Sequence, residues 1–228
     1  SVISSNTQIA SQLIYNLISD SLPAEFAGIL TQTDISENFN ATELTNLILL
    51  AKVVVSTGIL DILDQENPDY ATVLSDQNIE SIVNRISSSN LIISKMNDVI
   101  VKLLTNLNFG VTLVIPPSID WAAESGQTEL TALLKGAREI LASNIISGDL
   151  SLLTEEMADS LGGYIADSLV ITYNLNTVFE MVLSSQEGLA GYEIALLASY
   201  EEWTETEIKS LLKAAVILQS AGSDPDAL

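Results

Sequence analysis

The chain has 228 residues, 47% of them hydrophobic, with 30 Asp and Glu against only eight Lys and Arg. A formal charge of -22 argues against nucleic-acid binding, because neutralising phosphates requires clustered basic side chains. The sequence contains neither His nor Cys, which removes the imidazole base, the thiolate nucleophile and the common zinc and iron sites. We therefore predict a protein that is not an enzyme and carries no cofactor.

The first strong helix signal is a phrase at 42–57, whose apolar residues recur at i, i+3, i+4, i+7 and i+10. Thr-Glu opens this phrase, and the same opening and spacing return at 128–143 and 206–221. We interpret the three phrases as copies of one amphipathic helix that buries its apolar stripe. The stripe contains a Leu, and one turn further on an Ala that is small enough to let another helix approach closely. In the three copies these residues are Leu47 and Ala51, Leu133 and Ala137, and Leu211 and Ala215.

A residue suited to helix capping stands two positions before each Thr-Glu pair. That placement puts each Glu at the third helical position, from which its side chain can reach back to the cap N–H. The predicted caps are Asn40, Gly126 and Thr204, with Glu43, Glu129 and Glu207 as their partners. Asn40 also begins a formal glycosylation sequon, but the capping role explains the same residues without modification.

Between the copies, further helical segments occur in the same order. The matched pairs are 74–86 with 153–165, 96–104 with 175–183, and 110–115 with 191–197. The segment at 110–115 is also compatible with one short β-strand. We predict an all-α fold, a compact multi-helix bundle built from internal repeats of about 80 residues.

Few positions interrupt this pattern. We predict one helical domain at 1–220, and the Pro116-Pro117 pair marks possible halves at 1–116 and 117–220. The remaining residues, 221–228, are predicted to form a flexible tail. Gly162 and Gly163 favour a kink or a close packing contact over a ligand loop. No apolar run approaches the roughly 20 residues of a membrane-spanning helix, so we expect no span.

Carboxylates are the remaining chemistry-bearing groups. Glu155 and Asp159 lie one helical turn apart and are weak candidates for a surface site holding a divalent cation such as Ca²⁺. Acids commonly occupy the first turn of a helix, which explains the same pair without a metal. We therefore predict no metal centre.

Trp121 and Trp203 each shortly precede a Thr-Glu phrase, and we interpret both as packing residues at the junction of two units. The alternative is that each junction holds an apolar molecule oriented by tyrosine hydroxyl groups. The tyrosines available for that role are Tyr15, Tyr164, Tyr173 and Tyr192.

Three functional hypotheses follow. We favour a structural or self-assembling helical protein that binds further copies of itself, is extracellular or surface-associated, and forms part of a particle or filament. Its charge would make assembly depend on salt, divalent cations or low pH. The alternatives are a helical carrier of a lipid or pigment and an acidic partner-binding module.

Overall fold

Helices are the only regular elements in the part of the chain that the structure describes. The structure is a computed structural model, and the described residues are 12–13, 15–16, 28–62, 68–106, 114–143, 153–185 and 203–222. The prediction of an all-α, multi-helix fold is confirmed. The strand alternative at 110–115 falls mostly outside the described residues, and Val114 and Ile115 belong to no strand.

The three Thr-Glu phrases lie in three of the longest helices. In chain order the helices are α1 (Gln32–Asn38), α2 (Ala41–Thr57), α3 (Ile59–Ile62), α4 (Tyr70–Val73), α5 (Asp76–Ile86), α6 (Asn90–Asn106), α7 (Glu124–Ala142), α8 (Glu155–Asp167), α9 (Leu169–Ser185) and α10 (Glu205–Gly222). The phrases occupy α2, α7 and α10. Helix α10 ends at Gly222, and residues 223–228 of the predicted tail lie outside the described residues.

The Thr-Glu helices alternate in space with two other helices. Helix α2 packs on α5, α5 on α7, α7 on α8, and α8 on α10. We call this series of five helices the stack. Within the described residues, α7 has a stack neighbour on both sides, whereas α2 and α10, at the two ends, each pack on one.

The hydrophobic core lies around α5 and α7 and joins residues from both sides of Pro116. Its buried members are Ile62, Val73, Leu74, Ile79, Val83, Met96, Ile100, Trp121, Leu130 and Val170. Apolar residues spaced three and four apart on each helix produce this arrangement, because they share one helical face. Burying each large side chain contributes about 1.5–3 kcal/mol.

Two glycines mark places where the chain approaches itself closely. A Cβ atom on Gly162 would lie 2.4 Å from Lys209 Cγ, so Gly162 is a close contact between α8 and α10. Helix α8 runs without interruption to Asp167, and this supports the packing interpretation of the Gly162–Gly163 pair over a kink. A Cβ on Gly126 would lie 2.3 Å from the Cα atom of Trp121, where the chain turns into α7. Both positions therefore require glycine in the packed arrangement.

No single helix within the described ranges is both long enough and apolar enough to cross a membrane. The α1 and α2 pair meets the length and composition criteria together, but the two helices meet at a bend of 111°.

Candidate functional site

Glu129 is a buried carboxylate on α7 that binds the first residues of α9. Its Oε1 atom accepts a hydrogen bond from Ser168 Oγ at 2.5 Å, and its Oε2 atom accepts one from the Leu169 N–H at 2.6 Å. The Val170 N–H adds a third contact at 3.3 Å. Ser168 Oγ in turn accepts from the Ile171 N–H at 3.2 Å, so the serine caps α9 while donating to the glutamate.

Glu43 on α2 makes the same arrangement with the start of α6. Its carboxylate accepts from Ser89 Oγ and, at 3.0 Å, from the Asn90 N–H. Ser89 Oγ accepts from the Ile92 N–H at 3.2 Å, which matches the distance in the other arrangement. We call each of these a Glu–Ser cap. Both glutamates and both serines are buried, so each cap fixes a Thr-Glu helix against the beginning of a later helix.

The two caps place a carboxylate at the positive end of a helix dipole, where a negative charge is favourable. Removal from water acts in the opposite direction, because a buried carboxylate loses its hydration. Burial raises the pKa of Glu129, although the hydrogen bonds from Ser168, Leu169 and Val170 work to lower it. Burial therefore disfavours the ionised carboxylate of Glu129, and the three hydrogen-bond donors only partly offset this loss of hydration.

Glu207, the third glutamate, is exposed and serves its own helix. It accepts from the Thr204 N–H at 3.1 Å, while Thr204 Oγ1 accepts from the Glu207 N–H at 3.4 Å. This reciprocal pair is the capping box expected from the sequence. For Glu43 and Glu129 the predicted return to their own cap is wrong, because both side chains turn instead to Ser89 and Ser168.

The cap residues themselves divide in the same way. Asn40 precedes α2, and its Oδ1 accepts from the Thr42 and Glu43 N–H groups at 2.9 and 3.0 Å. Gly126 is not a cap, because α7 begins two residues earlier, at Glu124. The backbone of Gly126 packs instead against the turn at Trp121. Glu129 consequently lies nearly a turn deeper in its helix than predicted, too far in to close a capping box.

The predicted stripe positions differ in burial. Leu47, Leu133 and Ala137 are half-buried, whereas Ala51 and Leu211 are exposed. The side chain of Ala215 lies outside the description. Ala51 is exposed, so the close helix approach expected there is absent, and the close contact at Gly162 lies outside the Thr-Glu phrase.

Each of the two tryptophans donates a hydrogen bond to an asparagine on the preceding long helix. Trp121 Nε1 donates to Asn97 Oδ1 at 2.6 Å, and Trp203 Nε1 donates to Asn176 Oδ1 at 2.7 Å. Trp121 is buried in the core, which agrees with the packing role predicted for it. Asn97 and Asn176 are each the eighth residue of their helix, α6 and α9.

The four tyrosines named for the ligand-binding alternative lie in different places along the chain. Tyr164 lies beside Arg138, whose Nη2 is 3.4 Å from the phenol oxygen, and Tyr173 is exposed on α9. Tyr15 lies in a short described helical segment near the start of the chain, and Tyr192 lies outside the described residues.

Arg138 connects α7 to both of its neighbours in the stack. Its Nη1 donates to Asp76 Oδ1 at 2.7 Å and to the Leu74 carbonyl at 3.2 Å, and its Nη2 donates to Glu139 at 3.2 Å. The hydrogen bond from Arg138 lowers the pKa of the Asp76 carboxyl. The guanidinium thus ties the start of α5 to α7 and reaches Tyr164 on α8.

A groove of about 370 Å³ runs between α5, α7 and α8. Carboxylates, amides and hydroxyls line it, including Glu80, Glu124, Asp167, Asn84 and Gln127, together with Lys135. Val83 and Ala132 also line the groove, and its three carboxylates suit a small cationic group.

The weak cation candidates do not form a ligand cluster. Asp159 pairs with Lys213 of α10 at 2.8 Å, and Glu155 is exposed in the first turn of α8. Across the described ranges, no three Asp or Glu side chains lie close enough together to hold a metal ion.

Ser89, Ser168, Asn97 and Asn176 are site residues that sequence reasoning missed. A signal for them exists, because extending the match of 74–86 with 153–165 pairs Ser89 with Ser168 and Asn97 with Asn176 without a gap. Comparison with known proteins adds nothing to this assignment: no protein-family model, curated protein or solved structure matches the chain.

Proposed function

We propose that the protein is a non-enzymatic structural protein whose helical stack binds further copies of itself to build a particle or filament. One observation carries this proposal. Helix α7 is covered on both sides by stack neighbours, whereas α2 and α10 each leave exposed a side that α7 buries. Exposed apolar residues at the ends of a stack, such as Ile48 on α2 and Leu211 on α10, favour continued stacking.

The matched contacts support a modular construction. Two Glu–Ser caps and two Trp–Asn pairs occur in the same chain order around α2 and α7. The proposal includes the internal repeat of about 80 residues, with α10 beginning a third unit. Proteins built from such units extend by adding a unit to an open end, because each unit contacts only its neighbours.

The net charge of -22 supplies the means of control. Copies of this chain repel one another at low ionic strength, and salt, divalent cations or acid reduce that repulsion. An extracellular or surface-associated setting, where ionic conditions change, fits this behaviour and belongs to the same proposal.

Light scattering tests the proposal. The protein at neutral pH is titrated with NaCl and, separately, with CaCl₂, and circular dichroism at each step checks that the helices persist. We expect growth from monomer to large species while helix content stays constant. A monomer throughout both titrations contradicts the proposal.

Partner binding is the second candidate, and the groove between α5, α7 and α8 favours it because Glu80, Glu124 and Asp167 lie on its lining. A short oligolysine peptide is titrated calorimetrically into the wild type and into Asp167→Asn. Weaker binding by Asp167→Asn than by the exposed control Asp98→Asn supports this candidate. Equal binding by the two variants assigns the heat to general charge attraction and contradicts it.

A further inference from the structure

Helix α7, at the centre of the stack, buries two of its faces against different neighbours. On the side of α7 toward α5, Leu130 is 4% exposed, and Leu134 and Leu141 pack against the core. On the side toward α8 and α9, Glu129 is 3% exposed because the start of α9 covers it. A Thr-Glu helix inside the stack therefore buries two distinct faces.

Helix α2 leaves the first of these faces open. Leu44, Ile48 and Val55, which match Leu130, Leu134 and Leu141 in the phrase alignment, are 42%, 59% and 63% exposed. Lys52 lies on the same stripe and is also exposed. We call Leu44, Ile48, Lys52 and Val55 the head face.

Helix α10 leaves the second face open. Its Ile208, which matches Leu130, is only 3% exposed because α8 covers that side. Glu207 and Leu211 match the covered Glu129 and the half-buried Leu133, yet both are exposed, and Leu211 reaches 38%. We call Glu207, Ser210, Leu211 and Ala214 the tail face.

We propose that the tail face of one copy packs on the head face of a second copy, so that stacks join head to tail. An antiparallel pairing with Leu211 opposite Ile48 also places Glu207 opposite Lys52, because each charged residue lies one turn from its apolar neighbour. Within the described residues, Lys52 forms no ion pair.

This inference rests on the proposed self-assembly and specifies its polarity. Each copy contributes one head and one tail, so the contact is heterologous and repeats without using up its surfaces. The expected product is an open chain of copies.

Two blocked variants test the inference by analytical ultracentrifugation in about 1 M NaCl, where the Debye length is about 3 Å. Ile48→Asp closes the head face and Leu211→Asp closes the tail face, both at exposed positions that leave the core intact. Each variant alone should remain monomeric. An equal mixture should stop at dimers, formed from the open tail of the first and the open head of the second. The control Leu103→Asp, exposed on α6, should assemble like the wild type.

A charge exchange adds a second test, made at the lowest salt concentration at which the wild type assembles, because high salt screens the Lys52–Glu207 pair. Lys52→Glu should weaken assembly, and combining it with Glu207→Lys should restore it, because the exchanged pair again has opposite charges. If both blocked variants assemble like the wild type, another surface is responsible: the head-to-tail inference is overturned and self-assembly stands. If the wild type itself stays monomeric, self-assembly and the inference are both contradicted.

Discussion

Helices α7 and α10 carry the same Thr-Glu phrase in opposite surroundings. In α7, Glu129 is buried and binds the first residues of α9, while in α10 the equivalent Glu207 is exposed and caps its own helix. Local sequence alone does not decide between these roles. A serine-capped helix start beside the glutamate does, because its N–H and O–H donors outcompete a capping box once water is excluded.

Removing the buried glutamate should have the largest effect. Glu129→Ala leaves Ser168 Oγ and two backbone N–H groups buried without an acceptor, which should lower the free energy of unfolding by about 3 kcal/mol. The matched change Glu207→Ala removes only an exposed capping box and should cost about 0.5–1 kcal/mol. Urea unfolding measures both, and equal losses would abolish the distinction between the two helices.

The contact between α8 and α10 offers a second test through two adjacent glycines. Gly162→Ala forces a Cβ against Lys209 and should destabilise the protein by about 1–2 kcal/mol. At Gly163 a Cβ would meet Glu205 Oε1 at an ordinary 3.7 Å, so Gly163→Ala should be neutral or stabilise by up to about 1 kcal/mol. Thermal unfolding of the pair checks this, and a reversed order would contradict the packing described for α10.

Removing Arg138 from α7 should lower the free energy of unfolding more than removing the equivalent Lys52 from α2, although the difference is smaller than for the glutamates. Arg138→Ala removes the hydrogen bonds to Asp76 and the Leu74 carbonyl and should cost about 1–2 kcal/mol, since Asp76 is largely exposed. Lys52 occupies the equivalent place on α2, and Lys52→Ala should change stability by less than about 0.5 kcal/mol. Comparable losses for both substitutions in chemical unfolding would argue against a special role for α7.

The pH dependence of Glu129 gives the subtlest effect. Burial raises the pKa of Glu129 in the folded protein above the 4.5 of the unfolded chain. At a pH between the unfolded and the folded pKa, the folded protein therefore binds more protons than the unfolded chain. Stability from this group therefore falls as pH rises through that window, and it recovers as pH falls. Relative to Glu129→Gln, the wild type should gain stability between pH 7 and about 4.5. Urea unfolding measures the stability difference between the wild type and Glu129→Gln. A difference that does not change with pH, or that changes in the opposite direction, would contradict the burial described for Glu129.

The sequence predicted most of the helices and few of their partners. Periodicity located α2, α5, α7, α8 and α10, because apolar spacing depends on local geometry. The partners of Glu43 and Glu129 were not predictable from the Thr-Glu phrase, because Ser89 and Ser168 lie some 40 residues further along the chain. The start of α7 was placed too late because Gly126 resembled a cap, while its actual role is to clear the Trp121 turn.

The exposed faces of the Thr-Glu helices were also only partly predictable from the sequence. The sequence predicts a buried apolar stripe on each Thr-Glu helix, but Leu44, Ile48 and Ala51 on α2 are exposed, and the sequence does not show which end of a stack stays uncovered. Leu44 and Leu130 are the same residue type in the same phrase position, but Leu130 is buried in the hydrophobic core whereas Leu44 is exposed, because different elements surround α7 and α2. Exposure at the ends is thus a property of the stack as a whole.

Electron microscopy of the wild type at high salt tests the central claim most directly, because it shows the form of any assembly. We predict unbranched filaments one copy wide, which shorten progressively as Leu211→Asp is mixed in as a chain terminator. Single particles the size of one chain, or branched clumps unaffected by that variant, would contradict it.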